Sequence, residues 1–361
     1  MAPRRDPPAG ASRRTPAGGG AGRRAVTTRR AFVSGGTGFL GLNLIEQLTA
    51  GGWQVTALHR KASDLAEIRR FPVALVAGDL TDPASLRRAL PHATDAVFHV
   101  AADTSVWARH DHRQTRINVE GTRNMVEAAL AAGAKRFVHT STWNVYGLEQ
   151  GAISEASPQL GATSWINYNR SKFLAEQEVR QGIARGLEAV IINPAHIIGR
   201  YDRRGWARLI IAAHRRWLPG VPSGAGTFCH GEAVAQAQIA AVARGRTGQN
   251  YLMSGANAAF VELFRVINEV TGAKVPPRTL PRVLFRLAAR VDTALGAITG
   301  REPEATPEGV AIAAARARVA SDLAERELGY RPSALRTMVE DSWGWLRRAG
   351  LVPSAERGAN P

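Results

Sequence analysis

From Ala31 onward, short apolar runs alternate with stretches of helical periodicity, a pattern that predicts a parallel sheet with crossover helices. Ala31 to Ser34, Gln54 to Leu58, Val73 to Ala77, Ala96 to Val100, Arg136 to Thr140 and Ala189 to Ile192 read as strands. Leu40 to Ala50, Thr115 to Ala132 and Ser171 to Arg185 read as helices. The expected fold class is α/β, a Rossmann-type doubly wound parallel sheet. After Pro194 the pattern changes to helices separated by Gly/Pro-rich loops, Pro219 to Gly226 and Val275 to Pro281 among them. That change predicts a smaller, mostly helical C-terminal substrate lobe over the carboxyl ends of the strands. The expected organisation is a disordered Arg/Pro/Gly-rich tail over 1–29 and an NAD(P)-binding domain over 30–193. A substrate-binding lobe interleaved with the core follows over 194–351, then a flexible end over 352–361. No apolar run reaches the roughly 18 residues of a membrane span.

Composition narrows this picture. A chain of 361 residues with 45% hydrophobic content can bury a sizeable core. The single cysteine, Cys229, excludes an internal disulfide framework and a Cys-based metal site, and points to a reducing cytoplasm. Redox chemistry would then come from a cofactor. The formal charge is +17, but residues 1–30 hold eight arginines against Asp6, which is +7 and leaves +10 spread over many helices. No basic stripe is interleaved with stacking aromatics, so nucleic acid is not an expected partner. The tail lacks an apolar h-region after its arginines and reads as a non-functional extension rather than a secretory signal.

The first strand runs directly into Ser34-Gly35-Gly36-Thr37-Gly38-Phe39-Leu40-Gly41, with a helix opening behind the glycines. Strand before and helix after are the context a dinucleotide-binding loop needs. Gly35 allows the tight turn, Gly38 lets N–H groups approach a pyrophosphate, and Gly41 lets the helix pack closely on the sheet. The second strand ends Leu58-His59-Arg60-Lys61, with no carboxylate to accept from the ribose hydroxyls. Arg60 and Lys61 suit a 2′-phosphate, so NADP(H) is the preferred cofactor, with NAD(H) as the other candidate. Asp79, in Gly78-Asp79-Leu80 after the third strand, suits the adenine amino group or a helix cap; Asp82 is the better cap candidate.

A carbonyl reductase must give a proton to the alkoxide that forms as hydride arrives. Tyrosine, with a pKa of about 10, is too weak an acid unless a fixed cation lowers it. Tyr168-Asn169-Arg170-Ser171-Lys172 sets the two residue types four apart, on one helix face. Between this pair and the glycine loop lies a strand end, His139-Thr140-Ser141-Thr142-Trp143, where a hydroxyl could polarise a carbonyl. Ser141 and Thr142 both qualify.

These motifs, with His99-Val100-Ala101-Ala102, Asn118-Val119-Glu120-Gly121-Thr122 and Asn193-Pro194-Ala195-His196, follow one another as in the extended short-chain dehydrogenases/reductases. From Ala31 to about Leu351 the chain resembles that family, and within it the dihydroflavonol reductase and 3β-hydroxysteroid dehydrogenase-like branch. The resemblance selects Thr142, four residues before Tyr146, and implies Tyr168 as acid/base with Lys172 as its partner. The implied cofactor-binding set is Gly35, Thr37, Gly38, Phe39, Leu40, Gly41, Arg60, Asp79, Leu80, Ala101, Asn193, Tyr168 and Lys172, with no metal. A homodimer through the long helices is the family-level expectation. His230-Gly231-Glu232 and Asn193 depart from the usual nucleotide-sugar contacts.

The expected activity is an NADP(H)-dependent reductase or dehydrogenase acting on a ketone, aldehyde or secondary alcohol of an apolar or ring-bearing small molecule. Trp107, Trp143, Trp165 and Trp206 lie close in sequence to site motifs and suit such a substrate. The alternatives are a nucleotide-sugar epimerase or dehydratase with tightly held NAD, and a non-enzymatic NADP(H) sensor. His110 and His112 flank Asp111 in what reads as an exposed loop. Arg282 to Ile298 places Arg282, Arg286 and Arg290 opposite Leu284, Leu287, Val291 and Leu295, a pattern read first as a packed surface helix and second as a membrane-surface or substrate-mouth helix.

Overall fold

The computed structural model describes residues 1–2, 28–215, 218 and 220–352. The tails expected over 1–29 and 352–361 lie outside the described residues except for Met1, Ala2, Thr28, Arg29 and Val352.

Arg-Ala-Phe-Val-Ser is buried at four of its five positions because the sheet it joins is covered on both faces. It forms β1 (Arg30–Ser34), followed by α1 (Phe39–Ala50), β2 (Gln54–His59), β3 (Val73–Ala77), α2 (Pro83–Ala89) and β4 (Ala96–His99). Then come α3 (Asp111–Thr115), α4 (Gly121–Ala131), β5 (Phe137–Thr140), β6 (Ala152–Ile153), α5 (Asn167–Ala184) and β7 (Ala189–Pro194). The C-terminal portion carries β8 (His196–Ile198), α6 (Ala207–His214), β9 (Val221–Pro222), β10 (Ala225–His230), α7 (Gly231–Arg244), β11 (Asn250–Met253), β12 (Ala256–Ala259) and α8 (Phe260–Thr271). It ends with β13 (Thr279–Leu280), α9 (Arg282–Thr299), α10 (Pro307–Ala314), β14 (Arg318–Val319), α11 (Asp322–Leu328) and α12 (Leu335–Arg348).

Seven strands form one sheet in the order β11-β7-β5-β4-β1-β2-β3. Every pairing in it is parallel. The chain runs outward from β1 through β2 to β3, then returns to β4 on the other side of β1. Ligands bind in the crevice that such a switch point opens. A three-stranded sheet, β12-β10-β8, stands beside it in the C-terminal portion.

Three elements differ from the expectation. The single helix expected over 115–132 is two, α3 and α4, joined by a wider π-type turn over Arg116–Glu120 that carries Asn118; such turns concentrate at functional sites. Helix α5 begins at Asn167 rather than Ser171, so Tyr168 stands in its first turn. After Pro194 the chain is not helices and loops alone: β11 returns to the main sheet, and β8, β10 and β12 form a sheet of their own. Asn-Tyr-Leu-Met and Ala-Gly-Thr-Phe-Cys-His hold one β-branched residue between them, so burial rather than propensity makes them strands. Arg200 ties α1, α7 and α12 together, pairing with Glu46 at 3.3 Å, with Glu232, and with Asp341 at 3.5 Å.

Candidate active site

The chain leaves β1 at Gly35, whose φ of +78° is a left-handed value that other residues rarely adopt. A Cβ there would stand 2.6 Å from the backbone N of Ala101, so the loop and the end of β4 touch. Gly38 N donates to Gly35 O at 3.0 Å, and a Cβ at Gly41 would lie only 2.1 Å from the same oxygen. No side chain caps α1, leaving its first N–H groups for an anion. This cradle fits a dinucleotide pyrophosphate. Thr37 is half-buried and Gly38 exposed at its rim, while Phe39 packs against Gly231. Leu40 and Leu80 are buried in the hydrophobic core, which limits any ligand contact to their backbones.

Ser34 pairs with Leu58, so Arg60 stands two residues past the paired end of β2, level with the glycine loop. It is exposed; its backbone N donates to Ser63 Oγ at 3.1 Å and its carbonyl accepts from Ser63 N at 3.0 Å. Asp82 caps α2, accepting from Ala84 N at 3.0 Å and Ser85 N at 3.2 Å. Asp79 instead accepts from the N and Oγ1 of Thr81 at 2.8 and 2.7 Å. Burial raises the Asp79 carboxyl, but the Thr81 bonds and the fields of Arg60 and Arg116 outweigh it and leave the pKa below its ordinary value.

Thr142 and Tyr168 meet. Thr142 begins a short 3₁₀ turn over Trp143–Tyr146 and accepts from Asn144 N at 3.3 Å. The Thr142 hydroxyl beside Tyr168 favours the phenolate, yet burial outweighs it and holds the tyrosine above its ordinary pKa. The neighbouring Ser141 is buried, and its Oγ has no partner among the described residues. Lys172, also buried, donates from Nζ to Thr140 O at 2.6 Å. Burial lowers its pKa to about 8, with Glu176 opposing. The shift at Tyr168 comes from burial and Thr142, not from the lysine charge expected to drive it.

Behind them Glu176, Asn250 and Gln159, which no sequence motif marks, join residues of the quoted motifs in holding these groups. Glu176 is fully buried; Oε1 accepts from Asn193 Nδ2 at 2.7 Å, and Oε2 from Asn250 Nδ2 at 2.9 Å and Gln159 Nε2 at 2.8 Å. Asn193 also donates to Thr142 O at 3.1 Å and accepts from Asn250 at 2.8 Å, so its amide is engaged behind Thr142. The only sequence signal for Glu176 is its place four residues after Lys172 on the same helix. On the other side, Ser34 Oγ meets His99 Nδ1 at 2.7 Å, and His99 Nε2 meets Thr122 Oγ1 at 3.0 Å. Thr122 gives its one hydroxyl proton to Asn118 O at 2.6 Å. His99 must therefore donate from Nε2 and accept from Ser34 at Nδ1. Asn118 Nδ2 continues the chain to Ser171 Oγ at 3.1 Å, beside Lys172. Burial, assisted by the Lys172 charge, lowers His99 to about 3 and His139 well below its ordinary value.

A model of the NAD dependent epimerase/dehydratase family matches residues 31–253. The chain belongs to that family. It is an NAD(P)-dependent oxidoreductase of the extended short-chain dehydrogenase/reductase class. It is 31% identical over 329 residues to a putative dihydroflavonol 4-reductase of Synechocystis, covering 89% of this chain and 95% of that one. It is also 31% identical over 327 residues to sterol demethylase protein B of Methylococcus capsulatus, covering 89% and 99%. The solved structure of gox2253 superposes with a TM-score of 0.76 at 31% identity, covering 90% of this chain and 99% of that one. A UDP-glucose 4-epimerase from Thermotoga maritima shares the fold, with a TM-score of 0.73 at 18% identity, covering 89% and 99%.

In this member of the family the four tryptophans do not form one wall. Trp143 and Trp206 flank His196, with ring centroids 5.8 and 5.0 Å away, and Trp206 meets Phe228 edge-to-face at 5.0 Å and the tilted ring of Phe260 at 5.7 Å. Burial lowers His196 to about 4, keeping this cluster neutral. Trp107 is buried against His110 at 4.7 Å, and Trp165 is 62% exposed. His110 Nδ1 lies 3.1 Å from Ser105 Oγ. Among the described residues no group of three or more His, Cys, Asp or Glu side chains could hold a metal ion.

Proposed function

We propose that this chain is an NADP(H)-dependent reductase or dehydrogenase that moves hydride to or from a carbonyl carbon of an apolar or ring-bearing small molecule. The observation that carries the reading is the end of β2, where exposed Arg60 follows His59 level with the glycine loop and no carboxylate ends the strand. A guanidinium there suits a 2′-phosphate through charge-assisted hydrogen bonds, which a bare ribose hydroxyl does not offer. The uncharged Trp143, His196 and Trp206 cluster beside Thr142 supports an apolar substrate. Two relatives at 31% identity fit the same class by name: a farnesyl-dihydroquinoline-oxide ketoreductase of Stigmatella aurantiaca and a 2-alkyl-3-oxoalkanoate reductase of Stenotrophomonas maltophilia.

The bound nicotinamide supplies the hydride. Thr142 holds the substrate oxygen by a hydrogen bond, and Tyr168 gives that oxygen its proton as the alkoxide forms. Tyr168 holds its proton at neutral pH, and because burial makes the phenol a weaker acid than free tyrosine, the transfer leans on the more basic alkoxide and on the Lys172 charge. Lys172, anchored on Thr140 O, fixes a positive charge beneath the pair and is within the cofactor-binding set. Asn193 and Glu176 act as positioning residues that hold the Thr142 carbonyl.

The test is NADPH oxidation with a panel of cyclic and aromatic ketones, for the wild type and Tyr168→Phe. Turnover with at least one ketone, falling about 10²- to 10⁴-fold in Tyr168→Phe with an unchanged cooperative melt, is the expected result. No turnover with any ketone, together with interconversion of nucleotide sugars, would overturn it.

A further inference from the structure

Helix α9 packs on the body of the protein through Ala289, Gly296 and the half-buried Phe285. Its large aliphatic residues point the other way. Val283, Leu284, Leu287, Val291, Leu295 and Ile298 are all exposed, from 50% at Leu284 to 82% at Ile298. At 100° per residue these six fall within one stripe about a third of the helix circumference wide. A packed surface helix, the first expectation, would turn that stripe inward. Beside it Arg286 and Arg290 are exposed and share a surface hollow with Trp165, Val310 and Ala314. Trp165, three residues before Tyr168, is exposed as well.

We infer that the α9 face with Trp165 docks on an anionic lipid bilayer, lying in the plane of the membrane surface. Charge complementarity selects this occupant. The only acid in α9, Asp292, is occupied in accepting from Ala305 N at 2.9 Å, so arginines border the stripe with no opposing carboxylate on the helix. The whole chain carries +17, so a second copy brings the same net positive charge to this face. The N-terminal 27 residues are rich in Arg, Pro and Gly and hold almost no large apolar side chain to cover the stripe. An aliphatic stripe with arginines along its edge and an adjoining tryptophan is the composition of an interfacial helix. No helix among the described residues is long and apolar enough to cross a membrane, which leaves the surface position. A lipophilic substrate taken up from the bilayer is consistent with the proposed function, but the docking itself does not depend on that function.

The test is sedimentation of the full chain with phosphatidylcholine vesicles, with and without phosphatidylglycerol. Compared are the wild type and the double variant Leu287→Glu/Leu295→Glu, with circular dichroism and a cooperative melt as the check of folding. Wild type should bind the phosphatidylglycerol vesicles at least about tenfold more strongly than phosphatidylcholine alone, and the double variant should lose at least about tenfold of that binding. If the double variant does not fold, Ile298→Glu at the most exposed position should still weaken binding several-fold. Full binding by a folded variant would assign attachment to the arginine-rich N-terminus and overturn the inference. So would the absence of wild-type binding, or light scattering in which the wild type is a dimer and the variant a monomer. None of these readouts requires turnover, so docking and the reductase reading fail separately.

Discussion

Ser141 and Thr142 offer the same chemistry and differ in where the chain sends their hydroxyls. The Thr142 side chain reaches Tyr168, while Ser141 Oγ is buried with no partner among the described residues. The strand end alone leaves both open, because which side of the sheet edge each residue faces depends on a backbone held from behind by Asn193. Thr142→Ala should therefore lower kcat by about a hundredfold or more with little effect on NADPH affinity, and Ser141→Ala should change kcat less than about threefold. Steady-state kinetics on both variants check this, and equal losses would remove the distinction. Tyr168, Lys172 and the three loop glycines were legible because each signal is local: a four-residue helical spacing, or a turn between strand and helix. Glu176, Asn250 and Gln159 were not, since they meet across 17 to 91 positions and only the folded chain brings them together.

At the scale of elements, β4 and β5 bring the buried His99 and His139, and β8 the half-buried His196, to the edge of the site. Burial lowers all three, to about 3 for His99, about 4 for His196 and well below ordinary for His139. The unfolded chain, with histidines near 6.5, binds protons that the folded chain refuses. Stability is then complete above about pH 6.5 and falls as the pH drops toward 4, each histidine steepening the slope by up to about 1.4 kcal/mol per pH unit. Urea denaturation between pH 4.5 and 7.5 should show this acid limb, and His196→Gln should make it shallower. An unchanged slope would mean that His196 titrates in the folded state. The strands that carry His99 and His139 were visible as apolar runs. Strands β8, β10 and β11 were not, because β8 and β11 are only three and four residues long, β10 is interrupted by a glycine, and all three are fixed by the strands they pair with.

For the whole molecule, the order of motifs along the chain was enough to give the family and the doubly wound sheet, since the glycine loop and the motifs at Gly78, His99, Thr140 and Asn193 all lie at strand ends of one parallel sheet. The spatial fate of the tryptophans and the outward turn of α9 were not legible: periodicity locates an apolar face without saying which way it looks. Cofactor choice joins these scales, because in the proposed function one exposed side chain just after β2, Arg60, selects the nucleotide for the entire site. The most direct measurement is an equilibrium titration of the purified protein with NADPH and NADH, for wild type and Arg60→Ala, with release of any co-purified nucleotide by denaturation. NADPH should bind at least about tenfold more tightly than NADH, the preference should collapse in Arg60→Ala, and bound nucleotide should exchange freely. Co-purified NAD that does not exchange, or a preference for NADH, would contradict the reductase and make nucleotide sugars the first substrates to test.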